Sequence, residues 1–419
     1  TPGTMLMRTD IAAALTALAV YPEVSVIGLN CATGPREMSE HVRYLSRCSS
    51  RPISVLPNAG LPQVVDGQPH FPLPPVELAR WLREFVVQDG VSVVGGCCGT
   101  TPEHLRAVVE ALRGPHGDVP RPPRQPQREP ACTSLYQAVP YRQDNSFLIV
   151  GERCNTNGSR AFKRMLADGD VDGLVALATE QVRGEGAHVI DVCVDYVGRD
   201  GVSDMRKVVT RFAGEVNAPL MLDSTQPDVI EAGLKLAGGK CIINSVNLED
   251  GEEKLARICR LARQYGAAVV ALTIDEHPVE AMAKTAQRKL EIAERMHALL
   301  TQRHGLSEED VFWDCLTFPI TTGNEEDRRL ALETLDGIEA VMRRFPRCQS
   351  ILGLSNVSFG LQPAARVVLN SVSLHEARQR GLTAAIVHAG KILPRNQIGE
   401  ERWQAALDLI YDRREGGRD

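Results

Sequence analysis

The sequence lacks the features that would direct a protein to a membrane or to a polyanion. It has no run of about 18 or more apolar residues, and its first residues do not follow the charged-then-apolar layout of a signal peptide. The formal net charge is -6, and no basic stripe with interleaved aromatic residues is present. We therefore expect a cytoplasmic protein with neither a membrane nor a nucleic acid as partner.

The sequence also lacks the pattern of a disulfide-bonded secreted domain. Its 11 cysteines are odd in number and are scattered through segments typical of enzyme cores. Most of them are expected to be reduced thiols that pack as small hydrophobic side chains. Cys31, Cys97 and Cys98 need separate treatment because they follow strand-like runs.

A proline-rich stretch divides the 419 residues into unequal parts. The segment from Gly114 to Pro130 carries 6 prolines and has no helical or strand period. We predict a first domain over 1–114, an extended linker over 115–140 and a second domain over 141–419.

Strand-like apolar runs alternate with amphipathic helical segments after the linker. The runs begin at eight positions: Phe147, Ala187, Pro219, Lys240, Ala267, Val311, Ser350 and Leu382. Strands that are apolar on both faces and separated by helices indicate a parallel sheet, and eight such units predict a closed (β/α)₈ TIM barrel. The alternative is an open doubly wound sheet, although no G-x-G-x-x-G pattern follows the first strand.

The part before the linker contains three strand-plus-loop units, which begin at Ser25, Pro52 and Val91. Helices are predicted between them, over 39–47 and 75–88. Three or four strands are too few to close a barrel. We therefore expect a partial (β/α) barrel whose first half is missing.

The ends of the eight predicted strands are rich in carboxamides and carboxylates. Active sites of parallel barrels form at this end of the strands, so these side chains are the candidate ligand contacts. A ring of Asp and Asn suits a flat ligand whose edge carries hydrogen-bond donors and acceptors, such as a pterin. Taken singly, each residue is explained as well by a helix cap or a turn. Phosphate sugars are disfavoured because the glycine-rich loops that bind them are missing.

Six segments resemble successive strand ends of the pterin-binding family, and most closely the folate domains of cobalamin-dependent methionine synthases: GERCNTNGSRAFKRML, MLDSTQPDVIEAGL, KCIINSVNLEDG, VFWDCLTFPITTG, LGLSNVSFGL and AAIVHAGKI. The resemblance covers nearly all of 147–412. It implies that Asp223, Asn244 and Asp314 bind the pterin edge. It places Asn356 near N5 of the pterin. Four further residues fall on positions that line the same pocket: Glu152, Asn155, Asp191 and Ser224. The sequence departs from many relatives at Cys193, where they carry Asn, and at 196–200, where their loop is longer and acidic.

The activity implied by this resemblance is methyl transfer from N5 of 5-methyltetrahydrofolate to cob(I)alamin held by a domain outside this chain. A tertiary amine leaves only when it is protonated or strongly hydrogen-bonded. We assign Asn356 to stabilise the protonated N5, with the proton arriving through water because an amide is not an acid at neutral pH.

Cys31, Cys97 and Cys98 follow the ends of two strand units. On the residues alone, GGCCG is as readily a tight turn as a pair of metal ligands. However, GLNCATGP and GGCCGTTPEH resemble the end of homocysteine S-methyltransferase domains, which implies that the three thiolates hold zinc and that homocysteine takes the fourth position. His104 is expected to lie on a helix surface and not at the metal.

Three alternatives remain: a stand-alone methyltetrahydrofolate:corrinoid methyltransferase, an enzyme similar to dihydropteroate synthase, and an inactive folate-binding fragment. The upstream cysteine module argues against the first two. No D-x-H-x-x-G segment of the corrinoid-binding type is present, so a corrinoid-binding domain must act in cis or in trans.

Overall fold

The structure is a computed structural model, and it describes residues 9–114 and 117–413. The chain divides into two compact units, Thr1–Glu129 and Pro130–Asp419. No helix within the described ranges is both long and apolar enough to cross a membrane.

The first unit is built of short strands and amphipathic helices. Its elements are α1 (Ile11–Leu18), β1 (Ile27–Asn30), α2 (Pro35–Cys48), β2 (Ile53–Leu56), β3 (Gln63–Val65), β4 (Gln68–His70), α3 (Pro75–Asp89), β5 (Val93–Val94), α4 (Pro102–Leu112), β6 (Arg113–Gly114) and β7 (Gly117–Asp118).

The three strand units predicted for this part form one parallel sheet in the order β1-β2-β5. Leu29 pairs with Val55, and Val55 pairs with Val94. Helix α2 buries a stripe at helical spacing, made by Met38, Val42 and Leu45, against this sheet. The carboxyl ends of β1 and β5 therefore face the same edge of the sheet.

The second unit alternates strands and helices. Its elements are β8 (Ala131–Thr133), β9 (Ala138–Pro140), β10 (Leu148–Asn155), α5 (Arg160–Asp168), α6 (Val171–Arg183), β11 (Val189–Cys193), α7 (Gly201–Glu215), β12 (Leu220–Asp223), α8 (Pro227–Leu234), β13 (Ile242–Val246), α9 (Glu252–Tyr265), β14 (Ala268–Leu272), α10 (Ala286–His297), β15 (Val311–Asp314), α11 (Leu330–Arg344), β16 (Gln349–Gly353), α12 (Pro363–Gln379), β17 (Ala384–Val387) and α13 (Glu400–Ile410).

Strands β10 to β17 form a closed parallel barrel in sequence order. The pairing of Leu148 with Ala384 closes it between the first and the last strand. All eight predicted strands are present, so the (β/α)₈ prediction is confirmed and the open doubly wound sheet is wrong.

The hairpin β8–β9 packs below the barrel. Cys132, Val139 and the fully buried Tyr141 join the same hydrophobic cluster as the interior strand residues. This hairpin lies inside the range 115–140, for which the sequence predicts an extended linker. The sequence does not predict this hairpin because the apolar runs at 131–133 and 138–140 are too short to show a strand period. The prolines before them favour an extended linker instead.

Candidate functional site

The strand period of the barrel directs a set of polar side chains into its mouth. Asp191, Asp223, Asn244 and Asp314 each lie two residues after an interior hydrophobic residue of the same strand. Because side chains alternate between the two faces of a strand, all four point toward the barrel axis, above the apolar interior. They lie at the carboxyl ends of the strands, where ligands of parallel barrels bind.

One amide joins two of these acids directly. The Nδ2 atom of Asn155 lies 2.9 Å from Oδ2 of Asp191 and 2.9 Å from Oδ2 of Asp223. The two acids belong to neighbouring strands, since Cys193 pairs with Asp223 in the ladder between β11 and β12. The structure thus brings three of the predicted ligand residues into one hydrogen-bonded group.

Burial shifts the acids of the mouth toward their neutral forms. Desolvation raises the pKa of Asp223 to about 6. Desolvation and the nearby Asp223 hold the pKa of Asp191 well above its usual range, against the stabilising Asn155 and Asn244 amides. Burial and mutual repulsion disfavour the ionised forms of these carboxyls. A ligand with N–H donors would stabilise those forms.

Asp314 lies across the mouth, on β15. It is buried, and its Oδ1 accepts a hydrogen bond of 2.7 Å from the backbone N–H of Leu316. Burial raises the pKa of Asp314 to about 6, despite that bond and the nearby Lys289 charge. It shares no hydrogen bond with the group around Asn155 in the described chain, so only its inward position links the two.

Glu152 on β10 and Asn356 after β16 flank the last strand, β17, which lies between those two strands in the barrel. The hydroxyl of Ser355 donates a 2.8 Å hydrogen bond to Glu152. Burial raises the pKa of Glu152, whereas that bond and the charges of Arg366 and Lys391 lower it. Asn356 is exposed on the single helical turn Leu354–Ser358. Its amide is therefore open to a ligand, and no acid of the mouth holds it.

Ser224 stabilises the turn after β12 through its side-chain hydrogen bonds. Its hydroxyl donates to the carboxylate of Asp195 at 2.8 Å and accepts from the backbone N–H of Gln226 at 3.1 Å. It is buried. The structure thus gives Ser224 a role in holding the loop after β12, and it leaves the predicted ligand contact without direct support.

Cys193 faces the same region from β11. Its buried sulfur lies 3.6 Å from Nδ2 of Asn157, and the thiol hydrogen-bonds to Asp223 and lowers the pKa of that acid. The loop that follows is anchored by a bidentate contact of Arg199 with Asp204, while Val197 is 98% exposed at its tip. Cys193 thus packs against a predicted ligand residue.

Two cations support this mouth and were not identified from the sequence. Lys289, fully buried on α10, donates to the carbonyl oxygens of Ala283 at 2.7 Å and Cys315 at 2.6 Å. Arg366 donates to the hydroxyl of Ser358 and to the carbonyl of Ser355, both at 3.1 Å. A signal for Lys289 existed, because it occupies the apolar stripe of its helix with Ile292, Ala293 and Met296.

The three cysteines singled out in the first unit converge. The sulfur of Cys98 lies 3.6 Å from that of Cys31 and 3.9 Å from that of Cys97, and all three lie within 4.8 Å of one another. Cys31 has a φ of 65° after β1, which turns the loop toward the Cys97-Cys98 pair. The buried Asn58 holds that pair by accepting from the backbone N–H of Cys98 at 3.1 Å.

The spacing of these sulfurs fits a tetrahedral metal better than a disulfide. A disulfide needs sulfurs about 2 Å apart. Three thiolates on a tetrahedral zinc, with bonds of about 2.3 Å, lie about 3.8 Å apart. The backbone N–H of Ala32 lowers the pKa of Cys31, while hydrogen bonds with the other two thiols raise the pKa of Cys98 to about 11. The donor set therefore suits one thiophilic cation with an open fourth position.

His104 does not lie on the surface, and that expectation is wrong. The residue is buried, with Nε2 2.9 Å from the carbonyl oxygen of Leu73 and Nδ1 2.9 Å from the hydroxyl of Thr101. It completes a capping box at the start of α4. Its position near a helix start suggested exposure, whereas the packing of the loop before α3 could not be anticipated from the sequence.

Two curated relatives cover nearly the whole chain. Methionine synthase of Mycobacterium tuberculosis (strain ATCC 25618 / H37Rv) is 52% identical over 417 residues, which are 99% of this chain and 34% of that protein. Methionine synthase of Mycobacterium leprae (strain TN) is 51% identical over 423 residues, which are 100% of this chain and 35% of that protein. The chain thus spans about a third of the length of these relatives.

Among solved structures, dihydropteroate synthase of Xanthomonas albilineans with 4-aminobenzoic acid aligns at 18% identity and a TM-score of 0.46, covering 63% of this chain and 94% of that one.

Two family models match the sequence. Homocysteine S-methyltransferase matches residues 1–112. Pterin binding enzyme matches residues 151–388, which are more than half of the 419 residues and include all eight barrel strands except part of the first. The chain belongs to the family of pterin binding enzymes.

Proposed function

We propose that this chain carries the folate and homocysteine sites of a cobalamin-dependent methionine synthase. The observation that carries the proposal is the 52% identity to a methionine synthase over 99% of this chain, across both matched domains. A stand-alone folate enzyme would have no need of the first unit with its three converging thiols.

In this proposal the barrel mouth binds 5-methyltetrahydrofolate through the polar edge of its pterin. Asp223 and Asp314 accept hydrogen bonds from N–H groups of the ring, and the Asn244 amide both donates and accepts. The remaining predicted contacts lie around these three: Glu152, Asn155, Asp191 and Ser224. Support comes from the inward direction of these strand ends and from burial, which raises the pKa values of Asp223 and Asp314 to about 6 each, a shift that N–H donors of a ligand would oppose.

The chemistry we infer for the barrel is transfer of the N5 methyl group. The bond between N5 and the methyl carbon breaks, N5 keeps the electron pair and the added proton, and tetrahydrofolate leaves. Cob(I)alamin, held by another domain, would supply the nucleophile that takes the methyl group. The exposed Asn356 amide accepts a hydrogen bond from protonated N5 and stabilises it as the methyl group departs.

The first unit is proposed to bind homocysteine. Cys31, Cys97 and Cys98 would hold zinc, which lowers the pKa of a bound thiol and so supplies a thiolate at neutral pH. The chain contributes the preset spacing of its three sulfurs and the anchor that Asn58 provides. Homocysteine methylation to methionine would follow at that position.

A corrinoid-binding domain is the proposed partner of the barrel. Large apolar side chains on the loops after the strands are exposed to solvent: Val197, Val279, Met282 and Phe359. Exposed apolar residues on the rim of a ligand pocket are typical of a docking surface. A cytoplasmic location fits the 11 cysteines, none of which pairs with another in the described chain.

Calorimetric titration of the chain with 5-methyltetrahydrofolate tests the folate site. We expect binding by the natural sequence, and Asp223→Ala should weaken it by at least about tenfold because a charged hydrogen bond contributes about 1.5–3 kcal/mol. Asp172→Ala is the matched control, since Asp172 lies on the outer helix α6 with its side chain 88% exposed. Equal affinities for the two variants would contradict the proposed site.

A further inference from the structure

Two carboxyl groups in the barrel mouth share one neutral donor. The amide nitrogen of Asn155 has two hydrogens, and it lies 2.9 Å from an oxygen of Asp191 and 2.9 Å from an oxygen of Asp223. Each acid therefore receives one hydrogen of the same amide. Two negative charges held this close, in a buried site, repel each other strongly.

The groups that face this pair add no positive charge. Glu152 on β10 acts on Asp191, and Asp195 after β11 acts on Asp223, and both are acidic. The other neighbours are the Asn244 amide on β13 and the Cys193 thiol on β11, which are neutral. Within the described ranges no Lys, Arg or His bonds to either acid, so the fold offers no counter-ion for two charges.

The two acids differ in what surrounds them. Asp223 ends β12 at the mouth and is partly open to solvent. Asp191 is 1% exposed, and in the described part of the chain its Oδ1 makes no hydrogen bond of ordinary geometry. The Asn244 amide is a further stabilising neighbour of this carboxyl. An ionised oxygen that is buried without a partner is among the costliest arrangements in a protein. Of the two, Asp191 is therefore the one that keeps a proton.

We propose that Asp191 stays protonated in the folded barrel at neutral pH and acts as a positioning residue, leaving Asp223 to carry the single negative charge that the ligand meets. The proton lies on Oδ1, and Oδ2 accepts the Asn155 bond as a carbonyl oxygen. Asn155 is then fixed between a neutral acid and a charged one. This role rests on the proposed folate site, because Asp223 is its assumed ligand contact.

The two acids then have different roles, because Asp223 is charged and Asp191 is neutral. A pterin edge presents N–H donors, and one carboxylate with correctly oriented neutral neighbours matches it. A second charge behind Asp223 would raise the pKa of Asp223 further and neutralise the group that must accept those hydrogens. A neutral carboxyl at position 191 avoids this while it still orients the Asn155 amide.

Infrared spectroscopy of the whole chain tests the protonation directly. At neutral pH the natural sequence should show the carbonyl stretching band of a protonated carboxylic acid, and this band should be missing in Asp191→Asn. Asp204→Asn is the matched control, because Asp204 is also buried but is paired with Arg199 and should contribute no such band. If no band is lost in Asp191→Asn, the proposal is wrong.

Binding measurements separate positioning from mere packing. Asparagine imitates a protonated aspartic acid, so Asp191→Asn should weaken the affinity for 5-methyltetrahydrofolate much less than removal of the polar group does, and it should keep the pH profile that Asp223 causes. Asp191→Leu, similar in size, should weaken binding by at least about tenfold because Asn155 loses its anchor. Circular dichroism establishes that both variants fold.

The outcomes distinguish this inference from the proposed function. Should Asp191→Asn lose affinity as severely as Asp223→Asn, the charge of Asp191 is needed and the inference fails. Should the natural chain not bind 5-methyltetrahydrofolate at all, the proposed function fails, while the infrared band still decides whether Asp191 is protonated.

Discussion

The ammonium group of Lys289 donates a 2.6 Å hydrogen bond to the carbonyl oxygen of Cys315, the residue that follows Asp314. The same group bonds to the carbonyl of Ala283 in the loop after β14. One fully buried cation therefore ties together two of the loops that shape the barrel mouth. Burial lowers the pKa of Lys289 to about 8. The charged form of this side chain therefore reduces the free energy of unfolding of the barrel.

Lys289→Met should remove a pH dependence of stability. The folded pKa of Lys289 is about 8 and its unfolded value is higher, so the unfolded state binds more protons between them. Its contribution to the free energy of unfolding therefore rises by about 2 kcal/mol as pH increases from about 8 to about 10. Chemical unfolding at both pH values measures this, as the difference between natural chain and variant.

Lys254→Met provides the control for this effect, because Lys254 lies on the outer helix α9 and pairs with Asp250 in an exposed contact. It should follow the pH dependence of the natural chain. A Lys289→Met protein with that same dependence would mean that the buried charge carries no such cost.

Asp314→Asn should stabilise the barrel at neutral pH while it damages the site. The folded pKa of Asp314 is about 6, above its unfolded value, so the folded state binds more protons and loses stability as pH rises through that window. Asparagine keeps an acceptor for the Leu316 N–H without the charge. We expect a gain of up to about 3 kcal/mol near pH 7.5 and almost none near pH 4. Urea unfolding at the two pH values gives the comparison.

The exposed Asp172→Asn should change stability by less than about 0.5 kcal/mol at either pH. If Asp314→Asn is destabilising at both pH values, its carboxylate is better solvated than its burial implies.

Replacing one cysteine of the first unit should weaken zinc binding. In Cys97→Ser one of three converging sulfurs is lost, and we expect the zinc affinity, measured by competition with a coloured chelator, to fall by at least about tenfold. Cys48→Ser is the matched control, since Cys48 is half-buried and lies outside the cluster. Equal zinc affinity in both variants would rule out the cluster as the metal site.

Asn356→Ala should separate catalysis from binding. Its amide is exposed and is assigned to stabilise protonated N5, a charge that is greatest as the methyl group leaves. The rate of methyl transfer should fall by about a hundredfold or more, while folate affinity changes by less than about threefold. Stopped-flow rates and calorimetric affinities for the same protein make the test, and a parallel loss of both would assign Asn356 to binding alone.

The barrel and most of its candidate ligand residues could be predicted from sequence because both depend on local patterns. Each strand is apolar on both faces and is followed by a helix, so eight such units predict a closed parallel sheet. The residue that ends such a strand lies at the mouth whatever the details of packing. The strand pattern places Asp223, Asn244 and Asp314 at the mouth in this way, and the family resemblance implies that they bind the ligand.

Contacts between strands could not be predicted, since they depend on the register of the closed barrel. Nothing local in the sequence indicates that Asn155 lies between Asp191 and Asp223. Lys289 was missed because a lysine on a helix is normally solvated. The hairpin β8–β9 was missed for a different reason, since its short strands gain their stability from the barrel floor that they cover.

Methyl transfer from 5-methyltetrahydrofolate to added free cob(I)alamin, followed by absorbance, tests the central claim most directly. The account predicts that the absorbance of cob(I)alamin disappears in proportion to the 5-methyltetrahydrofolate supplied. It also predicts that Asp223→Ala abolishes most of the rate of this change. A chain that binds the folate but never transfers its methyl group, or that instead joins a pterin pyrophosphate to 4-aminobenzoic acid, would contradict it.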